Sequence, residues 1–242
     1  MVTKFTPEFL NALKRSTATH PFERFPVSKY VPKDLHLRRT EKLQKTRLAS
    51  ILIPLCNRNG VASILYTLRS QKVGTHKGQV SFPGGMCDAG EDDATTALRE
   101  TYEEIGESVG PVTILGLGQT VYSITGVLVT PVLGFIERDV GDLSHFTPEE
   151  DEVESIFSRS IIELNDPINK SYETYEKDNK KVTMPVYGGD MSGKGFGSQD
   201  HADLIAPDGK IWKVRKERIW GLTGLVTESV MDVITAVDST RQ

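Results

Sequence analysis

The sequence predicts an α/β fold with a mixed sheet between helices, and three observations predict it. Residues 49–56 and 61–68 are apolar, β-rich runs separated by Asn57-Arg58-Asn59-Gly60, the turn chemistry of a hairpin. A helical pattern covers about 93–105, and strand-like runs near 112–122 and 127–137 follow it. A helical repeat of Leu222, Val226, Val230, Val233 and Val237 then closes the chain after Trp220. Strands, helix, strands, helix is the order that places one sheet between helical layers.

The elements read in order as follows. Thr6-Pro7-Glu8 is a helix start, with a capping hydroxyl, proline at the first helical position and an acid in the first turn. Phe9, Leu10 and Leu13 give that helix an apolar face, and 16–45 reads as an arm wrapping the domain. A connection rich in Gly and Pro, 74–90, leads into the central helix. The uncharged run 108–136 is long enough to span a bilayer, but its five glycines and two prolines break it into two buried strands with a turn. An acidic loop at 148–154 precedes a strand at 155–157 and a short helix around 161–164. Residues 172–175 and 182–187 pair as a further hairpin, and 188–209 reads as a mobile loop. We therefore divide the chain into an N-terminal helix and arm, 1–45, and one domain, 46–238, with a loop insertion at 188–213.

Composition excludes several function classes. The 242 residues carry 29 basic and 33 acidic side chains, a net charge of −4, so whole-protein attraction to nucleic acid or an anionic membrane is not expected. Cys56 and Cys87 form neither a CxxC pair nor a disulfide framework, which suits a reducing compartment. No secretory leader is expected. Thr240-Arg241-Gln242 does not fit a peroxisomal address of the SKL type. Lys4, Lys14 and Arg15 against Glu8 are compatible with a mitochondrial presequence or with an ordinary helix, leaving mitochondrion or cytosol ahead of peroxisome.

The chemistry concentrates at 84–107. With Glu100 at zero on a helical wheel, Glu103 falls at about −60° and Glu104 at about +40°, beside an apolar stripe of Ala94, Ala97, Leu98, Thr101 and Ile105. Three carboxylates that close repel one another unless a cation sits among them, and hard oxygen donors at this density suit Mg2+ or Mn2+. A plain solvated acidic face is the alternative for the three acids taken alone.

Gly85, Glu91, Arg99-Glu100, Glu103-Glu104 and Gly106 resemble the signature of the Nudix hydrolases, GX5EX7REUXEEXGU. Thr101 and Glu107 stand where that pattern has an apolar residue. Residues 65–85, LYTLRSQKVGTHKGQVSFPGG, resemble the segment LLTXRSXXXRXXXGXXXFPGG of the coenzyme A diphosphatases, with Gly74 at the pattern's arginine. Asp151-Glu152-Val153 and Trp220-Gly221-Leu222-Thr223 resemble two further stretches of that subfamily.

This resemblance implies a Nudix-type α/β/α sandwich and a metal-dependent diphosphatase. It would cleave coenzyme A or acyl-coenzyme A to a phosphopantetheine and adenosine 3′,5′-bisphosphate. By carry-over, Glu100, Glu103, Glu104 and the carbonyl of Gly84 bind Mg2+ or Mn2+. One of these acids, or Glu152 in the acidic loop, serves the attacking water. Glu91 and Arg99 support the site as a salt link. Arg69, His76 and Lys77 are candidates for substrate phosphates, and Lys72 or Lys77 for the charge that Gly74 does not bring. His76 has no second histidine nearby to make a metal pair, and Tyr187 and Trp220 read as core. The partner implied is a small molecule, with no nucleic acid or membrane; oligomeric state is not readable. Another nucleoside diphosphate derivative (ADP-ribose, a dinucleotide, a nucleoside triphosphate) and a silent nucleotide-binding module are the competing readings.

Overall fold

A computed structural model describes residues 1–18, 47–123, 126–177, 180–188, 201–205, 211–215 and 218–241. The predicted hairpin forms from β1 (Leu48–Arg58) and β2 (Val61–Arg69), paired antiparallel from Leu55↔Ile64 to Arg58↔Val61. Its turn takes positive φ at both Asn59 and Gly60, the geometry that keeps two twisted strands together. Asp139 accepts both turn amides, Asn59 N at 2.8 Å and Gly60 N at 2.7 Å.

Two short strands, β3 (Val80–Ser81) and β4 (Gly84–Met86), pair with β2 and β1 and lead into helix α2 (Asp93–Ile105). The uncharged run becomes β5 (Val112–Leu117), β6 (Val121–Tyr122) and β7 (Leu128–Ile136). β7 lies parallel to β1 over Leu48↔Leu128 to Leu55↔Phe135 and is buried along its whole length, which is why it carries no charge. No helix among the described residues is long and apolar enough to cross a membrane. β8 (Val153–Ser160) pairs antiparallel on the far side of β2 and completes a mixed, eight-stranded sheet.

Helices cover both faces. On one, α2 packs Ala97 onto Leu52 and Val132, and Ile105 onto Cys56 and Leu65. On the other, Ile64, Tyr66 and Leu68 meet α1 (Pro7–Ala18) and the final helix α4 (Gly221–Ser239). A short helix, α3 (Ile161–Asn165), begins with a capping box between Ser160 and Glu163. The alternation along β2 (even positions toward α4, Leu65 toward α2) creates the three layers. The α/β class with a mixed sheet is as expected.

Helix α1 starts at the predicted proline, with Phe9 N donating to Thr6 Oγ1 at 3.3 Å. The arm expected over 16–45 begins instead as the last turn of α1, and 19–46 lie outside the described residues. β9 (Lys170–Lys177) and β10 (Lys180–Tyr187) pair in the expected hairpin, with Tyr172 opposite Pro185.

The expected loop over 188–209 needs correction in part. It contains β11 (His201–Ile205), paired antiparallel with β12 (Ile211–Arg215); 189–200 and 206–210 lie outside the described residues.

Candidate functional site

Helix α2 spans the residues that periodicity predicted and is capped by Asp92, whose carboxylate accepts from Thr95 N at 2.7 Å. Its C-terminus stops at Gly106, where φ of 91° suits a residue without Cβ. Packing of Ala97, Thr101 and Ile105 fixes the helix rotation, and that rotation aims Glu104 inward and leaves Glu103 outside.

Glu104 is 3% exposed. Its Oε2 accepts from Gly84 N at 3.2 Å, and its Oε1 lies 3.7 Å from Arg69 Nη1, beyond hydrogen-bond range. Burial pushes its pKa up to about 8, against the pull of Arg69 and the Gly84 amide; the charges of Glu152 and Glu100 add to the rise. Glu100 stands over Gly85, where a Cβ would come within 2.3 Å of its Oε2. Burial raises its pKa too, with Arg99 opposing and Glu103 and Glu152 reinforcing.

Arg99 organises the outer side. Its Nε donates to Glu91 Oε1 at 2.8 Å, its Nη2 to the Met86 carbonyl at 3.0 Å, and its Nη1 to Glu100 and Glu103, each at 3.0 Å. Glu91, bonded by Arg99 and by Thr96, is held down to about 2 and stays ionised. The salt link predicted for this pair therefore ties the loop before α2 to the helix and to β4.

The acidic loop closes the other side. Glu149 N donates to the Glu104 carbonyl at 2.9 Å, and Ser70 N to the Glu152 carbonyl at 2.8 Å. Glu152 is exposed beside the two inner acids, near enough for its charge to act on both. Lys72 Nζ meets Asp151 Oδ1 at 2.7 Å. His76 sits on the exposed connection with its Nδ1 3.0 Å from Gln79 Oε1, and Lys77 is exposed there as well.

The structure thus brings Glu100, Glu104, Gly84 and Arg69 together, with Glu152 on the acidic loop near enough for its charge to reach both acids. It turns Glu103 onto Arg99 and leaves His76 and Lys77 on the rim. Among the described residues no three carboxylate, His or Cys groups are gathered around one point. Tyr187 is core, as expected, whereas Trp220 is half-buried, 5.5 Å from the Arg218 guanidinium. The links Lys72–Asp151 and Ser70–Glu152 escaped the sequence, because they join residues about eighty positions apart with no local pattern.

The family model described as NUDIX domain matches residues 45–181, more than half of the chain. The chain belongs to the Nudix family. It is 35% identical to the mitochondrial coenzyme A diphosphatase NUDT8 of Mus musculus over 208 residues, 84% of this chain and 85% of that protein. Its human counterpart is 35% identical over 77% of this chain and 69% of its own length. Nudix hydrolase 3 of Caenorhabditis elegans is 32% identical over 84% and 80%. Among solved structures, a MutT protein from Methanosarcina mazei aligns over 49% of this chain and 80% of its own at 19% identity, with a TM-score of 0.38. The family assignment rests on the sequence matches.

The protein is therefore a Nudix hydrolase, of a family that uses divalent metal ions. Its residues fit such an ion. The donors at Glu100, Glu104 and the Gly84–Gly85 backbone are hard oxygens. Glu104 is a buried carboxylate whose burial the Arg69 guanidinium at 3.7 Å does not offset, so further positive charge beside it would be favoured.

Proposed function

We propose that this Nudix hydrolase is a diphosphatase of coenzyme A or its thioesters, releasing a phosphopantetheine and adenosine 3′,5′-bisphosphate. One observation carries the substrate reading. The segment 65–85, which resembles the coenzyme A diphosphatase pattern, is the same segment that delivers Arg69 and Gly84 to Glu104. The identity to the mouse and human enzymes of that name supports it.

Glu100 and Glu104, with the Gly84 carbonyl, would hold Mg2+ or Mn2+, and Glu103 would join them by leaving Arg99. An ion held there would supply a lowered pKa for the attacking water and a screen for the diphosphate charge. Arg69, a quarter exposed, extends its guanidinium beside Glu104 and offers it to a phosphate oxygen. Water adds to one phosphorus while the bridging P–O bond breaks. Its proton passes to a carboxylate: Glu152, exposed at the mouth, or one of the α2 acids. Arg99 does no chemistry; by holding Glu91, Met86 and Glu100 it fixes where the carboxylates stand.

The test is incubation of the purified protein with coenzyme A and Mg2+ or Mn2+, followed by chromatography of the products. Both products should appear, and Glu104→Gln should stay folded by circular dichroism while turnover falls by at least about 100-fold. Turnover of ADP-ribose or a nucleoside triphosphate in place of coenzyme A would overturn the substrate reading. Activity unchanged in Glu104→Gln would overturn the site.

A further inference from the structure

We propose that Lys72 is the specificity residue for a phosphate monoester carried by the substrate beside its diphosphate, and that Asp151 holds this cation until the substrate arrives. The inference rests on the diphosphatase reading above and adds the residue that distinguishes substrates with an extra phosphate.

Its position carries the argument. Lys72 follows Arg69 by three residues, so their Cα atoms lie at most about 11 Å apart, and Arg69 carries the guanidinium beside Glu104. The Ser70 amide between them is bonded to the Glu152 carbonyl, which pins this stretch against the acidic loop at the mouth of the site. Lys72 Nζ reaches across to Asp151 Oδ1 at 2.7 Å, next to Glu152. Both partners are largely open to water, 62% and 74% exposed, so the pair contributes little stability and exchanges at little cost.

A phosphate monoester brings nearly two negative charges and three acceptor oxygens where Asp151 brings one charge and two oxygens. An ammonium on a flexible stem, already at the rim, moves to the stronger anion. Gly74, two residues on, has no side chain to compete, and Lys77 lies five residues beyond Lys72 along the exposed connection. The ligand class that fits is a nucleoside diphosphate derivative with a ribose monophosphate, as coenzyme A has and its 3′-dephospho form lacks.

The experiment measures kcat/KM for coenzyme A and for 3′-dephospho-coenzyme A in the full-length wild type, Lys72→Gln and Lys72→Arg. The ratio of the two values should fall about tenfold in Lys72→Gln, mainly through KM, and be largely kept in Lys72→Arg. Asp151→Asn should raise the ratio two- to threefold by releasing the lysine. An unchanged ratio in Lys72→Gln overturns the inference, even if activity on both substrates falls.

A parallel titration with adenosine 3′,5′-bisphosphate and adenosine 5′-phosphate reads the same contact without turnover. Lys72→Gln should weaken the bisphosphate alone by about tenfold, and equal weakening of both overturns the inference. Wild type that cleaves neither thiol substrate overturns the diphosphatase reading, while the titration still decides the role of Lys72.

Discussion

Glu104 is a carboxylate that the fold keeps out of water without a full counter-charge, and that makes the protein's stability report on its candidate site. Its pKa rises from an ordinary 4.5 to about 8, so folding favours the protonated acid. The stability this lends is complete below about pH 4.5 and is lost as pH climbs through about 8. In chelator, the melting temperature should therefore fall between pH 5 and 9, by an amount equivalent to a few kcal/mol. Glu104→Gln should flatten that fall, and Mg2+ should reverse part of it in the wild type but not in the variant. Scanning calorimetry across the pH range checks this, and an equal pH slope in wild type and variant would contradict the burial argument. The neighbouring glycines show the same closeness from the backbone side. At Gly84, φ is 148° and a Cβ would stand 2.3 Å from the Ser50 carbonyl oxygen, so Gly84→Ala must push β4 away from β1 and Glu104. We expect a loss of at least about 2 kcal/mol in urea unfolding, together with most of the activity. Gly74→Ala, with nothing within 4 Å, should leave unfolding unchanged.

At the scale of elements, α2 was legible to the residue because several local rules agree there. Asp92 caps it, an apolar stripe faces the sheet, and Gly106 ends it. The β1–β2 hairpin was legible for the same reason, since Asn59-Gly60 is a turn with its own chemistry. What the sequence withheld is tertiary. Nothing in the runs themselves says that β7 lies parallel to β1, because a fully buried strand loses the alternation that would reveal its faces. Likewise the wheel put Glu100, Glu103 and Glu104 in one third of the helix but did not divide them. Packing against Leu52 and Val132 rotates Glu104 under the Gly84 amide, and Arg99 draws Glu103 outward. β11 and β12 were missed because five-residue strands in Gly-rich surroundings carry too short a pattern to be read.

For the whole molecule, the sheet divides the chemistry from its support: α2 and the candidate site occupy one face, α1 and α4 the other. The N-terminal residues belong to that support. Thr3 lends its carbonyl to Ala62 N at 2.8 Å, and the Asn57 side chain bonds both the amide and the carbonyl of Phe5 at 2.9 Å. Phe5, Phe9 and Leu13 are essentially unexposed, in the same core as Val226, Val230 and Ile234 of α4. Cutting this segment away would uncover the apolar face of α4 and of β5. Phe9→Ala should thus cost about 3–5 kcal/mol, a drop of about 10 °C in a chain of this length, with the metal-dependent shift at Glu104 retained because it arises on the opposite face. Lys14→Ala on the exposed side of the same helix should change stability by no more than about 0.5 kcal/mol. Thermal melts of the two variants, with and without Mg2+, separate these outcomes, and a Phe9→Ala protein as stable as wild type would show that α1 is an appendage and not part of the core.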